Sequence, residues 1–427
     1  MTRPGPVELP AVHEAWLPRE HSLHRPRHGG KQTGALACAA VFFLAPLAGL
    51  ALGARPAEIE NRKLAAFPSP VEGWAFFTDL PAWATDHLVF RGDAISIADG
   101  VSRGVFGEPP QLGTRAGSDS PLGTHEGPAP GFDITTIPRV IEGTDGWLYL
   151  GDEVAVRCKQ DVPTAETMRQ IRAVKEGIEA SGRDFLLVIA PDKITVEPEH
   201  LPQRYPGQDC VRPVTDEFWR LIKEGNLALD LRSEIHRVAE SRGVPVYPAR
   251  DAHWDDIGGL LMARGIAEWL RPGVTKDWVV ADGEPWRVPA DLPPLIGRTG
   301  DIEGRHYSVK PDGVREQARD VPQDFTTPLH LNTTSGPGTY GRKVAMLGDS
   351  FTIRAKRYLG AAFGDLTLLH YKQLQEGDRQ AAIKMLVDSD VVVFEVAERA
   401  LVKGNSVLFA PEVVEAMLRE MSANPRR

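Results

Sequence analysis

A chain of 427 residues with 42% apolar content is long enough to bury a full core and to form one large or two modest domains. Its net charge of −9, with no basic stripe interleaved with aromatics, excludes a general nucleic-acid binder. Nine tryptophans offer flat faces suited to sugar rings, although tryptophan is more often a core residue.

From Gly34 to Ala54 no charge interrupts a run rich in Ala, Leu and Phe, and about 20 such residues suffice to cross a bilayer. Arg19, Arg25, Arg27 and Lys31 precede it, so the positive-inside rule predicts a cytoplasmic tail over 1–33, a single-pass anchor over 34–54 and everything after Arg55 outside the cell membrane. A cleaved signal peptide, ending near Ala51-Leu52-Gly53, is the competing reading; the long leading segment and long apolar run favour an uncleaved anchor. Of the three cysteines, Cys38 lies in the anchor. Cys158 and Cys210 remain as an even pair in an exported body, which predicts a disulfide between them.

Residues 55–135 read as a stem, with aromatics at Trp74, Phe76, Phe77 and Trp83, followed by a flexible loop rich in Gly, Pro and Ser from Gly104 to Gly131. A domain over 136–427 then alternates strands and helices. Gly143 to Tyr149 reads as a turn feeding a strand. Thr164 is placed to cap a helix with Met168, Ile171, Val174 and Ile178 at helical spacing and Gly182 as its stop. Apolar runs predict strands at Phe185–Ala190, Leu227–Leu231, Val244–Tyr247, Val344–Leu347, Leu366–His370 and Val391–Val396, with helices between them. Residues 272–340 lose periodicity and read as an irregular excursion. The pattern predicts a three-layer α/β domain around a mostly parallel sheet, with the ligand site at the carboxyl ends of the strands.

Two stretches fall at such ends. Gly348-Asp349-Ser350-Phe351 follows an apolar run, and a tight turn there exposes a serine hydroxyl near backbone N–H groups. Serine is nearly inert without a base, and Asp251-Ala252-His253-Trp254 supplies one: a carboxylate two residues from a histidine fixes its tautomer while the other ring nitrogen faces the nucleophile. His87, His200, His306, His330 and His370 have no carboxylate at matching spacing. Metal binding by Asp251, His253, Asp255 and Asp256 lacks a second His or Cys cluster, so no metal is expected. Trp254, Arg354 and Tyr371 are the candidate substrate-contacting residues.

With Glu60-Asn61-Arg62, Gly143 to Tyr149, Pro191-Asp192-Lys193 and Glu395 to Arg399, these motifs make the chain resemble the alginate O-acetyltransferase family, whose catalytic domain is similar to SGNH hydrolases. The resemblance implies a triad of Ser350, His253 and Asp251, with acid and base ahead of the nucleophile. It also implies acetyl transfer to a cell-surface or secreted polysaccharide, a polytopic membrane-bound O-acyltransferase as the acetyl source, and no cofactor. The superfamily's oxyanion asparagine has no counterpart in a recognisable block; Asn332 and Asn405 stand apart, leaving the Ser350 amide, with Arg354 or a glycine. A glycan acetyl esterase and a non-catalytic glycan-binding subunit are the alternatives.

Overall fold

The computed structural model describes residues 134–426 except 334, and before them chiefly 30–53 and 73–87 with a few isolated positions. The loop expected at 104–131, the Glu60-Asn61-Arg62 stretch and most of the tail over 1–33 lie outside the described residues. The chain divides into two compact units, Met1–Ile97 and Ala98–Arg427. In the first, α1 (Gly30–Ala51) covers most of the charge-free run and α2 (Trp74–Asp86) the aromatic stretch. Several side chains of α1 are outside the described set, and among the described residues no helix is long and apolar enough to cross a membrane.

The second unit opens with an antiparallel pair, β1 (Val140–Glu142) and β2 (Leu148–Leu150), then α3 (Gly151–Cys158), α4 (Thr164–Ala180), β3 (Asp184–Ala190) and α5 (Gln208–Gly225). It continues with β4 (Leu229–Asp230), α6 (Arg232–Arg242), α7 (Asp256–Leu270), β5 (Val279–Pro289), β6 (Asp301–Lys310) and β7 (Leu329–Leu331). Then follow β8 (Val344–Gly348), α8 (Thr352–Ala362), β9 (Leu366–His370), α9 (Arg379–Val387), β10 (Val391–Ala397), α10 (Glu398–Lys403) and α11 (Pro411–Ala423). Six strands form one sheet in the order β4-β3-β10-β8-β9-β7, parallel throughout except where β7 pairs antiparallel with β9, so the sheet is mixed.

Strand side chains alternate between two faces, and each face needs its own cover. Leu186, Val188 and Ala190 of β3 join a core with α7 and α8, whereas Phe185, Leu187 and Ile189 pack against α4, α5, α9 and α11. The apolar stripe of α4 is the expected one, with Met168, Ile171, Val174 and Ile178 all buried. Pro163, not Thr164, holds its N-cap, and Gly182 ends the turn at a φ of 82°, where a side chain would be strained. Cys158 and Cys210 are disulfide-bonded, tying α3 to the first turn of α5.

Two expectations need correction. Val244–Tyr247 is a bent loop, not a strand; Val246 and Tyr247 are fully buried, with the Tyr247 hydroxyl donating to the Pro191 carbonyl. Core burial accounts for Val246 and Tyr247, while Val244 is exposed. Residues 272–340 are also less irregular than expected, since β5 and β6 make a long antiparallel hairpin and β7 adds an edge to the sheet. Most of β5 is exposed, so its sequence carries no apolar alternation.

The helices that follow the two functional stretches touch. A Cβ on Gly259 of α7 would lie 2.5 Å from the backbone carbonyl carbon of Arg354 on α8, so glycine permits the approach. Gly259→Ala is expected to destabilise the protein by about 1–3 kcal/mol, because backbone cannot swing aside as a side chain can. Urea unfolding of the two proteins measures this, and equal midpoints would show that the helices separate freely.

Candidate active site

Ser350 sits in the turn between β8 and α8, at the carboxyl end of a central strand. Glycine at 348 is required by space: a Cβ there would come within 2.2 Å of the Thr352 hydroxyl oxygen. The turn is pinned by two buried carboxylates. Asp349 accepts the Phe351 N–H through Oδ1 and the Ala397 N–H through Oδ2, both at 2.9 Å. Glu395 of β10 accepts the Asp349 N–H at 2.9 Å and the Thr352 hydroxyl at 2.7 Å through Oε2. Burial, joined by the charge of Asp349, pushes Glu395 well above the usual carboxylate range.

The His253 loop precedes α7, whose first turn is capped by Asp255 accepting from the N–H groups of Ile257 and Gly258. Beneath the loop lies Lys193, fully buried. Its ammonium donates to the carbonyls of Leu148, Pro248, Ala249 and Asp251 at 2.7–3.1 Å, and burial lowers it to about 8. His253 Nε2 lies 2.8 Å from Ser350 Oγ. On the other side of the ring, Nδ1 is 3.1 Å from Asp251 Oδ1, which also accepts the His253 N–H at 2.9 Å. The structure therefore brings Ser350, His253 and Asp251 into one chain of contacts.

A fourth residue joins them. Asp291, just beyond β5, places Oδ2 3.0 Å from Nδ1 of His253, while its Oδ1 accepts the Ala252 N–H at 3.0 Å. Burial lowers the imidazole, but the hydrogen bonds it donates to the two carboxylates, with their charge, outweigh this and push His253 up to about 10. Burial likewise raises Asp251, and its hydrogen bond with His253 overcomes this to hold it below the usual range. Sequence reasoning missed Asp291 because it lies in the excursion, 38 positions after His253, with no spacing to mark it.

The donor atoms of Asp251, His253 and Asp291 lie within 4.8 Å of one another, close enough for a cation. Both carboxylate oxygens also stand at hydrogen-bond distance from Nδ1, the arrangement of a proton shared between them. Asp255 and Asp256, grouped with Asp251 and His253 on sequence, point elsewhere. Asp255 caps α7, and Asp256 contacts His306 Nδ1 and the Tyr358 hydroxyl, each at 2.7 Å.

Trp254 is not a substrate-contacting residue: it is 1% exposed and its indole N–H donates to the Phe351 carbonyl at 3.1 Å. Tyr371 is engaged with Asp349 through its hydroxyl. Arg354, part exposed, stacks its guanidinium 4.0 Å from the Trp286 ring. Asn332 and Asn405 lie in other contacts, with Arg319 and Asp161. The Ser350 N–H meets no acceptor among the described residues and is the one backbone donor in the turn free to face an oxyanion. A groove of about 840 Å³ runs between the β5–β6 hairpin and residues 242–255, where Trp286 and arginines such as Arg250 and Arg287 stand beside the acidic Asp255, Asp301 and Glu303.

The remaining signature residues form a buried ionic cluster. Arg157 donates to Asp192 at 2.9 Å and Glu398 at 2.5 Å, and Arg399 reaches Asp192 at 3.2 Å.

Residues 140–359, just over half of the chain, match the family described as SGNH hydrolase-like domain, acetyltransferase AlgX. "Probable alginate O-acetylase AlgJ" of Pseudomonas fluorescens is 25% identical over 165 residues, 39% of this chain and 40% of its own length, so the match spans well under two thirds of that relative. The protein of the same description from Pseudomonas putida is 24% identical over 289 residues, 63% of this chain and 72% of its own. Among solved structures, the O-acetyltransferase domain of Pseudomonas putida AlgJ aligns over 66% of this chain and 99% of that one, at 21% identity and a TM-score of 0.41. Bacillus cereus PatB1 with a sulfonyl adduct aligns over 63% of this chain and 98% of that one, at 13% identity and a TM-score of 0.42.

Replacing Lys193 by Met removes the donor shared by four carbonyls. The Ala249 and Pro248 carbonyls keep the N–H groups of Leu148 and Asp251, so the expected loss is roughly 1–3 kcal/mol, the cost of a buried acceptor left unpaired. Chemical denaturation measures it, and a loss below about 1 kcal/mol would mean that the loop is held by other contacts.

Proposed function

Since the chain belongs to the family of SGNH hydrolase-like domains of the acetyltransferase AlgX, we propose that it transfers acetyl groups to polysaccharide hydroxyls through an acetyl-Ser350 intermediate. The observation that carries this reading is the 2.8 Å approach of His253 Nε2 to Ser350 Oγ. His253 takes the Ser350 proton as Oγ attacks the acetyl carbonyl, and Asp251 holds the ring. The Ser350 N–H donates to the oxyanion, and collapse of the tetrahedral species passes the proton to the leaving group. In the second half a sugar hydroxyl gives its proton to His253 and attacks the acetyl-serine, releasing the ester and restoring Ser350.

The groove at the β5–β6 hairpin, which offers the flat face of Trp286 among charged side chains, supports a glycan acceptor, as does the description of the Pseudomonas relatives as alginate O-acetylases. The charge-free run at 34–54 behind basic residues supports a membrane-anchored domain outside the cytoplasm. Acetyl-CoA is cytoplasmic, so in this reading a polytopic membrane acyltransferase relays the acetyl group. The histidine side chain is 24% exposed, which admits water and favours hydrolysis as the competing fate. Acetyl label moved onto a glycan separates transferase from esterase, since an esterase yields acetate alone.

Full-length protein is expected to release p-nitrophenol from its acetate ester, and Ser350→Ala to reduce the rate by roughly 10³-fold or more. Because only the neutral imidazole accepts a proton, and His253 is pushed up to about 10, the wild-type rate should climb from pH 7 toward pH 10. Equal rates in the two proteins would remove Ser350 from the chemistry.

A further inference from the structure

Most serine triads give Nδ1 of the histidine one carboxylate. Here two converge on it, from different parts of the chain. Asp251 is two residues away on the same loop and its side chain is 11% exposed; Asp291 arrives from beyond the β5–β6 hairpin's first strand and is 34% exposed. The approach of Asp291 is built into the backbone. Its neighbours are stitched down on both sides, Ala290 N–H donating to the Gly300 carbonyl at 2.9 Å and Leu292 N–H to the Arg250 carbonyl at 3.3 Å. Ala290, Leu292 and Leu295 are buried, which anchors the segment. One carboxylate oxygen then takes the Ala252 N–H, and this bond aims the other at the ring.

We infer that Asp291 is a second positioning acid, sharing the Nδ1–H of His253 with Asp251 and stabilising the imidazolium that forms when Ser350 gives its proton to Nε2. This rests on the reading of Ser350 as the nucleophile. At the step concerned, the Oγ–H bond breaks, an Nε2–H bond forms, and the positive charge appears between two carboxylates already in place. Electrostatic stabilisation of that kind costs no reorganisation when the charge develops. The other charged groups around the ring are Lys193 below the loop, Arg354 on α8, and Arg399 beyond the Phe351 ring against which His253 packs. Among the described residues none of these contacts Nδ1, so the ring's orientation falls to the two acids.

A shared role makes each acid partly redundant. Asp251→Asn still leaves Asp291, and Asp291→Asn still leaves Asp251, so each single variant is expected to keep roughly a tenth to a hundredth of the wild-type rate. Asp251→Asn with Asp291→Asn should lose roughly 10⁴-fold, the scale seen when a triad's only acid is neutralised. Asparagine at 291 can still accept the Ala252 N–H, so the variant tests the charge and leaves the strap intact.

The test reads the imidazole directly. In protein labelled at histidine, NMR titration of the His253 ring, assigned with His253→Gln, is compared between wild type and Asp291→Asn. The expected midpoint falls by at least about one pH unit, since an opposite charge this close shifts a neighbour by about 1–3 units. Asp291→Glu keeps the charge and should restore most of the midpoint, and it serves as the second variant if the asparagine form is unstable. An unchanged midpoint in Asp291→Asn, or a glutamate form displaced as far as the asparagine one, overturns the inference. The nucleophile is scored separately by reaction with a sulfonyl fluoride. Wild type that shows the midpoint shift with Asp291→Asn but leaves Ser350 unlabelled upholds the paired acids and removes the proposed reaction.

Discussion

Lys193 holds together a site that secondary structure does not. The histidine loop is neither strand nor helix, so its carbonyls lack ladder partners, and a buried carbonyl without a donor is costly. One ammonium gathers three of them, from residues 248, 249 and 251, together with the Leu148 carbonyl of β2, sharing its three N–H groups among the four. Because Lys193 follows β3 directly, the loop is referenced to the same central sheet that positions Ser350 through β8. Burial lowers Lys193 to about 8, so at neutral pH it still meets those carbonyls as a charged donor.

The serine side is referenced to that sheet by opposite means. Asp349 and Glu395 are acceptors, and together they collect the N–H groups of the turn after β8 and of the end of β10. A buried cation gathers carbonyls on the histidine side, whereas buried carboxylates gather amides on the serine side. Farther along the same strand ends, Arg157, Asp192, Glu398 and Arg399 repeat the pattern with full ion pairs. Such buried pairs add little net stability, yet removing one partner strands a charge, so they act chiefly to fix which residues meet.

Much of this was legible in the sequence because it was local. The buried strands of the parallel sheet are continuous apolar runs, and the Asp-x-His and Gly-Asp-Ser stretches mark strand ends by their turn residues. The family resemblance singled out Pro191-Asp192-Lys193 and Glu395 to Arg399 without a reason for them; the reason is contact between strand ends that are far apart in sequence. What was not legible has the same cause reversed. Asp291 has no periodic neighbour and arrives from the far end of a hairpin strand, Trp254 beside His253 is a packing residue although the motif made it look functional, and Val246 and Tyr247 are apolar because they are buried, not because they pair. Identity and position in a motif do not report exposure.

The β5–β6 excursion carries both Trp286, which lines the groove, and the segment that leads into Asp291. In the proposed reaction, exchanging that segment for one from a relative would therefore not alter acceptor choice alone. It would reset the basicity of the ring on the far side of the site at the same time, so recognition and proton transfer are inherited as one block, and a chimaera designed to change the glycan would need its working pH measured afresh.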